Sequence, residues 1–189
     1  MNWLAHLHLS GTCPATRIGN LLPDLVPLPV LQDLPAIFSP GIQMHRAIDA
    51  FTDSHAIFRQ SRGRVGGELA RYSPILIDVF YDHFLARNWV SYSAISLARF
   101  VDEFHASIKS YRGVLPEVVM QKLERIRDDG FLYSYYETEG IAVALDRISL
   151  RMKRPVNLRA GVDGLLAQYD LFAEDFRAFY PQLRAHLGQ

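Results

Sequence analysis

Apolar residues recur along most of this chain at the three-to-four-residue spacing of an α-helix, and little of it alternates with the period of a half-buried strand. The pattern predicts an all-α fold. Gly41 to His55 reads as one helix. Ser73-Pro74 opens another, with Ser suited to the N-cap and Pro to the first helical position, running through Asp78 and His83 to about Asn88. Further helices are predicted over Ser93 to Ser110, Pro116 to Asp128, Gly140 to Met152 and Gly161 to Leu187. Pro23, Pro27, Pro29, Pro35 and Pro40 mark the stretch between them as an ordered loop with room for one short helical turn. Met1 to Thr16 is apolar, its first Lys or Arg is Arg17, and it lacks the basic start of a secretory signal, so it is read as part of the folded domain.

Composition narrows this picture. The 189 residues suit a single compact helical domain spanning 1–189, and with 49% hydrophobic residues a core can form without disulfides. Lys plus Arg and Asp plus Glu both number 20, which argues against a dedicated nucleic-acid binder. The one cysteine, Cys13, can build neither an internal disulfide nor a thiolate zinc site and points to a reducing compartment. No stretch has the length of apolar residues that a membrane span needs, so no membrane partner and a cytoplasmic protein are expected.

Against this background, some polar residues stand out. The segment from Pro74 to Ala86 is apolar around most of its helix, the mark of a buried element, yet carries Asp78, Asp82 and His83. Asp78 and Asp82 lie one turn apart on one face, so their charges repel unless a cation, a shared proton or a metal ion compensates. Arg46 or Arg17 is an alternative partner for Asp78. In Gly41 to His55, the residues His45, Asp49 and Thr52 or Asp53 share a face; the Asp can join a metal site or orient the imidazole. His6, His8, Asn20 and Asp24 punctuate apolar sequence nearer the start, although Asp24 and Asp53 also suit caps or turns. Asp102 and His105 read as a solvated helix face. The donors in the first half are oxygen and imidazole without thiolate, which suits Mn²⁺, Mg²⁺ or Fe²⁺ better than structural zinc.

The phosphate-loop, dinucleotide-fold, zincin, serine-hydrolase and di-iron motifs are absent from the sequence. Two basic runs are present: Arg147, Arg151, Lys153, Arg154 and Arg159 without an intervening acid, and Arg59, Arg62, Arg64 and Arg71 diluted by Glu68. Each is either a solvated helix face or a surface for an acidic partner.

Four stretches in order, Asn2-Trp-Leu-Ala-His-Leu-His-Leu, Gly19-Asn-Leu-Leu-Pro-Asp, Gly41 to His55 and Asp78-Val-Phe-Tyr-Asp-His-Phe-Leu-Ala-Arg-Asn-Trp, resemble the acyl carrier protein phosphodiesterase family, also called acyl carrier protein hydrolase. Tyr135 to Ser149 looks like the C-terminal half of that family. The resemblance implies hydrolysis of the phosphodiester linking 4′-phosphopantetheine to the serine of holo acyl carrier protein, with a divalent cation, usually Mn²⁺. It also implies a distant likeness to HD-type helical phosphohydrolases. The pair here is Asp82-His83, the reverse order, so those ligands do not transfer by position. Many relatives are expected to carry Gly-Asp where Pro23-Asp24 stands, with Asp24 itself kept.

On that resemblance, Asp24, His45, Asp78 and Asp82 are expected to hold the metal. His6, Asp49 or His83 is expected to supply the proton for the leaving serine, and Arg17 or Arg46 to neutralise the phosphate. Arg147, Arg151, Lys153 and Arg154 are expected to dock the acidic carrier protein. The rival readings are another metal phosphohydrolase acting on nucleotides or small phosphodiesters, and a non-enzymatic helical binder of an acidic partner.

Overall fold

The computed structural model describes residues 1–128 and 130–189, with Phe131 described by its backbone. Among the described residues the secondary structure is helical throughout, apart from one isolated bridge between Arg112 and Leu115, in line with the all-α expectation. The main helices are α1 (Trp3–Leu9), α2 (Pro14–Leu25), α3 (Leu28–Gln32), α4 (Ser39–Ser54), α5 (Ala56–Arg64), α6 (Ser73–Arg87), α7 (Leu97–Ile108), α8 (Glu117–Asp128), α9 (Phe131–Ser134), α10 (Thr138–Ser149), α11 (Gly161–Ala167) and α12 (Tyr169–His186).

Helix α6 is the axis of the molecule. Leu76, Ile77, Val79, Phe80, Phe84 and Leu85 are all buried, as a helix apolar on every side requires. Helices α1, α5, α10 and α12 pack around it. Rings from α5, α6 and α12 meet edge-on or tilted, for example Phe58 with Tyr81 and Tyr81 with Phe176. Asp175 of α12 accepts hydrogen bonds from Ser61 and Arg64 of α5, fixing the two helices in register.

Helices α2 and α4 cross in backbone contact, and the sequence permits this through two glycines. A Cβ on Gly19 would stand 2.3 Å from the Phe38 carbonyl oxygen, and one on Gly41 would stand 2.2 Å from that of Thr16. This close approach brings Asn20 and Asp24 of α2 beside His45 of α4.

Several boundaries differ from the sequence pattern. The expected loop from Pro23 to Pro40 is largely helical. Helix α2 continues through Pro23 to Leu25, because a proline in the last turn forgoes one bond while the Val26 amide still closes on Leu22 at 3.0 Å. Helix α3 and a 3-10 turn over Ala36–Phe38 fill the rest. Ser73 is the first residue of α6, after Tyr72 at the cap position. The true cap of α7 is Ser96, whose side chain accepts from the Arg99 amide. The long C-terminal helix breaks at Gln168, outside the helical region at φ −131° and ψ 29°, and so turns Tyr169 toward α6.

Candidate metal centre

His6 of α1, His45 of α4 and Asp49 one turn further along α4 converge, with one ligand atom from each lying within 4.8 Å of the others. The rings of His6 and His45 stack at 4.3 Å and 18°. Asn20 of α2 organises both. Its amide nitrogen donates to the His6 carbonyl at 2.9 Å and to Ser10 Oγ at 2.8 Å. Its side-chain oxygen is thereby the acceptor for His6 Nδ1–H at 2.8 Å. Its backbone carbonyl accepts from His45 Nδ1–H, also at 2.8 Å.

With Nδ1 committed as donor on both rings, the Nε2 lone pairs face oxygen. His45 Nε2 stands 3.0 Å from Asp49 Oδ2. His6 Nε2 stands 3.3 Å from Asp49 Oδ1 and 3.0 Å from the Met1 carbonyl oxygen. Lone pairs aimed at acceptors require a cation among them: a proton on each ring, or one metal ion. Imidazoles held through Nδ1–H by carbonyl oxygens, with Nε2 presented beside a carboxylate, are the arrangement of a metal-ligating histidine pair. Asp24 at the end of α2 adds an exposed carboxylate, with Oδ1 3.7 Å from His45 Nε2. The oxygen and imidazole donors fit Mn²⁺, Mg²⁺ or Fe²⁺.

The electrostatics follow this arrangement. Although burial works the other way, the imidazoles of His45 and His6, donating when they carry a second proton, and the nearby Met1 ammonium hold Asp49 far below the usual carboxylate range. Burial likewise opposes His45 ionisation, but Asp49 and Asp24 raise its pKa. Despite burial, the Met1 ammonium is raised to about 10 by Asp78, 2.9 Å away, and Asp49, 3.6 Å away. Asp78 itself is pushed upward by burial, more than the ammonium draws it down.

The cluster opens at Asp49 into a cleft of about 430 Å³, lined by the carboxylates Asp24, Asp49, Asp53 and Asp78 and by the apolar Ile75, Val79, Ala144 and Ile148. Arg151 and the Met1 ammonium are the cations among the described residues of its lining.

Other expected site residues lie elsewhere. Asp82 is fully buried and accepts the amides of Leu4 at 2.7 Å and Ala5 at 3.0 Å, capping α1 from across the core. Burial pushes it up to about 7 against the pull of those amides. The repulsion between Asp78 and Asp82 is therefore relieved by an ammonium and by peptide dipoles, and neither carboxylate meets Arg17 or Arg46. His83 is held between the Tyr135 carbonyl at 2.8 Å and the Tyr169 hydroxyl at 2.7 Å. Arg17 donates to the Gly11 carbonyl and lies 4.5 Å above the Phe100 ring. Arg46 is exposed on α4, and neither arginine lines the cleft. His105, expected on a solvated face, is buried, and Asp102 accepts from the Tyr133 hydroxyl. Arg151, Lys153 and Arg154 are exposed and Arg147 is half-buried. Arg159 is neutralised by Glu139 and Asp146.

In the sequence Asn20 is polar punctuation in an apolar run, and its organising role emerges only in the fold. Its signal was an amide among Ile18, Leu21 and Leu22, on a buried stripe and beside the glycine that allows the helix crossing.

Fold and site together define a helical protein whose core presents two imidazoles and a carboxylate, suited to one metal ion, at the foot of an acidic cleft. The chain matches the model of the acyl carrier protein phosphodiesterase family over residues 1–183. It is 34% identical over 190 residues to proteins named acyl carrier protein phosphodiesterase from Salmonella newport (strain SL254), Salmonella heidelberg (strain SL476) and Salmonella typhimurium (strain LT2), covering 100% of this chain and 98% of each relative. No solved structure matches it. The chain belongs to the acyl carrier protein phosphodiesterase family.

Proposed function

We propose that the chain, acting as one domain over 1–189, hydrolyses the phosphodiester linking 4′-phosphopantetheine to the serine of holo acyl carrier protein, giving the apo protein and the free arm. The observation that carries the metal-dependent part is the pair of imidazole Nε2 atoms converging on Asp49 while both Nδ1 atoms are held by carbonyl oxygens. His6, His45 and Asp49 hold a divalent cation, Mn²⁺ or one of similar preference, with Asp24 within reach at the cleft edge. When bound, such an ion lowers the pKa of a water and draws charge from the phosphoryl oxygens.

The chain's own groups supply the rest. Asn20 fixes both imidazoles in the tautomer that presents Nε2. Arg151, which with the Met1 ammonium offsets the carboxylates of the cleft lining, binds a phosphate oxygen and offsets the charge that grows as the ester breaks. The departing serine oxygen needs a proton, and Asp78, on the cleft wall with the Met1 ammonium 2.9 Å away, is the group placed to relay one. Asp82 and His83 act as positioning residues, Asp82 by capping the helix that carries His6. The Arg147 to Arg154 stretch borders the cleft and meets the acidic carrier protein. Among the described residues no helix is long and apolar enough to cross a membrane. The exposed free Cys13 supports a reducing, cytoplasmic setting.

The test is the intact mass of holo acyl carrier protein after incubation with the protein and Mn²⁺, and separately with EDTA. Conversion to the apo mass with metal alone is expected. No conversion in either arm, with the protein folded and its Mn²⁺ content confirmed, would overturn the reading and turn attention to small phosphodiesters. Asp78→Asn separates this ligand set from the one expected from sequence: it should keep Mn²⁺ stoichiometry while slowing turnover.

A further inference from the structure

Beyond Trp3, Asp24 and Arg151, which line the candidate site as well, the surface continues between α8 and α10 as a second hollow of about 410 Å³. Trp3, Leu25 and Ile126 give it an apolar, buried floor. The rim is cationic. Lys122 and Arg125 come from α8, Arg147 and Arg151 from α10 and the turn after it, and Asp24 is the one acid among the described residues of the lining.

Helical spacing explains why these charges gather. Lys122, Arg125 and Ile126 stand at i, i+3 and i+4 on one face of α8; Arg147, Leu150 and Arg151 repeat that spacing at the end of α10. Nearby charges that do not face the hollow are neutralised, Glu124 by Arg112 and Arg127 by Asp128. Among the described residues no acid pairs with Arg125 or Arg151, and Lys122 donates to the neutral Leu25 carbonyl at 2.6 Å. Leu150, 86% exposed, projects between the cations. An apolar centre within a polar, predominantly cationic rim is the anatomy of a protein-binding surface, and its charge selects an acidic partner. The cations span two helices beyond the acidic cleft, a wider footprint than the reacting phosphodiester alone would need.

We propose that the α8–α10 cleft docks an acidic face of the protein that carries the scissile phosphodiester, and that Lys122 and Arg125 determine that partner. The proposal rests on the phosphodiesterase reading above. It adds α8 to the surface expected from the Arg147 to Arg154 run.

The test compares wild type with the double variant Lys122→Glu/Arg125→Glu. Binding of holo acyl carrier protein is measured by calorimetry at low and high salt. Hydrolysis is measured on that protein and on bis(p-nitrophenyl) phosphate, both with Mn²⁺. The expected result is binding weaker by about tenfold to a hundredfold at low salt, with a flattened salt dependence. kcat/KM on the carrier protein should fall in proportion through KM, while hydrolysis of the small ester is unchanged. Carrier-protein binding and salt dependence equal to wild type would overturn the docking surface. So would an equal loss on both substrates, because the two residues would then serve the ester or the fold. Lys122→Gln/Arg125→Gln, with a melting curve, repeats the comparison should the reversed charges disturb folding. Wild type that binds carrier protein but hydrolyses neither substrate would sink the phosphodiesterase reading and leave the docking result standing.

Discussion

Histidines at positions 6, 8, 45 and 83 all sit in apolar sequence in the first half of the chain, yet the structure divides them into two kinds. His8 donates to the Tyr92 carbonyl and accepts from the Tyr180 hydroxyl; His83 donates to the Tyr135 carbonyl and accepts from the Tyr169 hydroxyl. Each of those rings has a donor and an acceptor in hand and is complete as a neutral group. His6 and His45 likewise donate to a carbonyl oxygen, through Nδ1, but their Nε2 atoms look at Asp49. The difference lies in one nitrogen per ring. A satisfied imidazole is a structural element, and a pair left with convergent lone pairs is a candidate for metal binding.

The carboxylates divide in the same way. Asp82 spends both oxygens on the start of α1, whereas Asp49 is half-exposed at the cleft and, among the described residues, faces the two imidazoles and an ammonium. Substitutions in the first set should therefore act on stability, and substitutions in the second on metal binding and turnover.

The largest effect is expected from Asp49→Asn or His45→Ala. Each should lower turnover of carrier protein by about a thousandfold or more and abolish Mn²⁺ retention after gel filtration, while thermal melting without metal changes little. Retained Mn²⁺ with full activity would erase the distinction between the two kinds of histidine. Next comes Asp82→Ala, which strands the amides of Leu4 and Ala5 inside the core. Urea unfolding should show a loss of about 2–4 kcal/mol, while any folded fraction still binds Mn²⁺. Loss of metal with undiminished stability would instead make Asp82 a ligand.

A pH series sharpens the contrast. Burial pushes His8 down to about 4, below its unfolded value of about 6.5. The stability this confers is fully present above about pH 6.5, where both states are neutral. It is lost as pH falls toward 4, where the unfolded chain takes up the proton first. Comparing wild type with His8→Gln, the wild type should lose roughly 2–3 kcal/mol more between those pH values. Equal slopes would show that His8 titrates as a solvated ring. The smallest effect is Tyr169→Phe, which removes the donor to His83 Nε2; about 1 kcal/mol of stability should go, with Mn²⁺ affinity unchanged by titration.

Local pattern made the helical class and the burial of α6 legible, because a run such as Ile75 to Leu85 is apolar whatever surrounds it. Helix α2 could also have been found, since Ile18, Leu21, Leu22 and Leu25 recur at helical spacing behind Pro14. The prolines between Pro23 and Pro40 obscured it. Helix α1 spans only Trp3–Leu9, too short for periodicity to speak. The break at Gln168 has neither Gly nor Pro to announce it, and what shapes it is the contact of Tyr169 with His83 and Phe84.

The sequence by itself determined the class of fold, the donor types and the fact that histidine and aspartate were embedded in apolar surroundings, because these follow from composition and spacing within single helices. Tertiary structure alone decided which of those groups converge. Asp78 and Asp82 share a helix face, but α1 takes Asp82 for its own amides. His6 and His45 lie far apart in the chain, but the glycine crossing of α2 and α4 sets Asn20 between them. Partnership at a nitrogen or an oxygen depends on what a distant segment brings within 3 Å, and spacing along one helix carries no record of that.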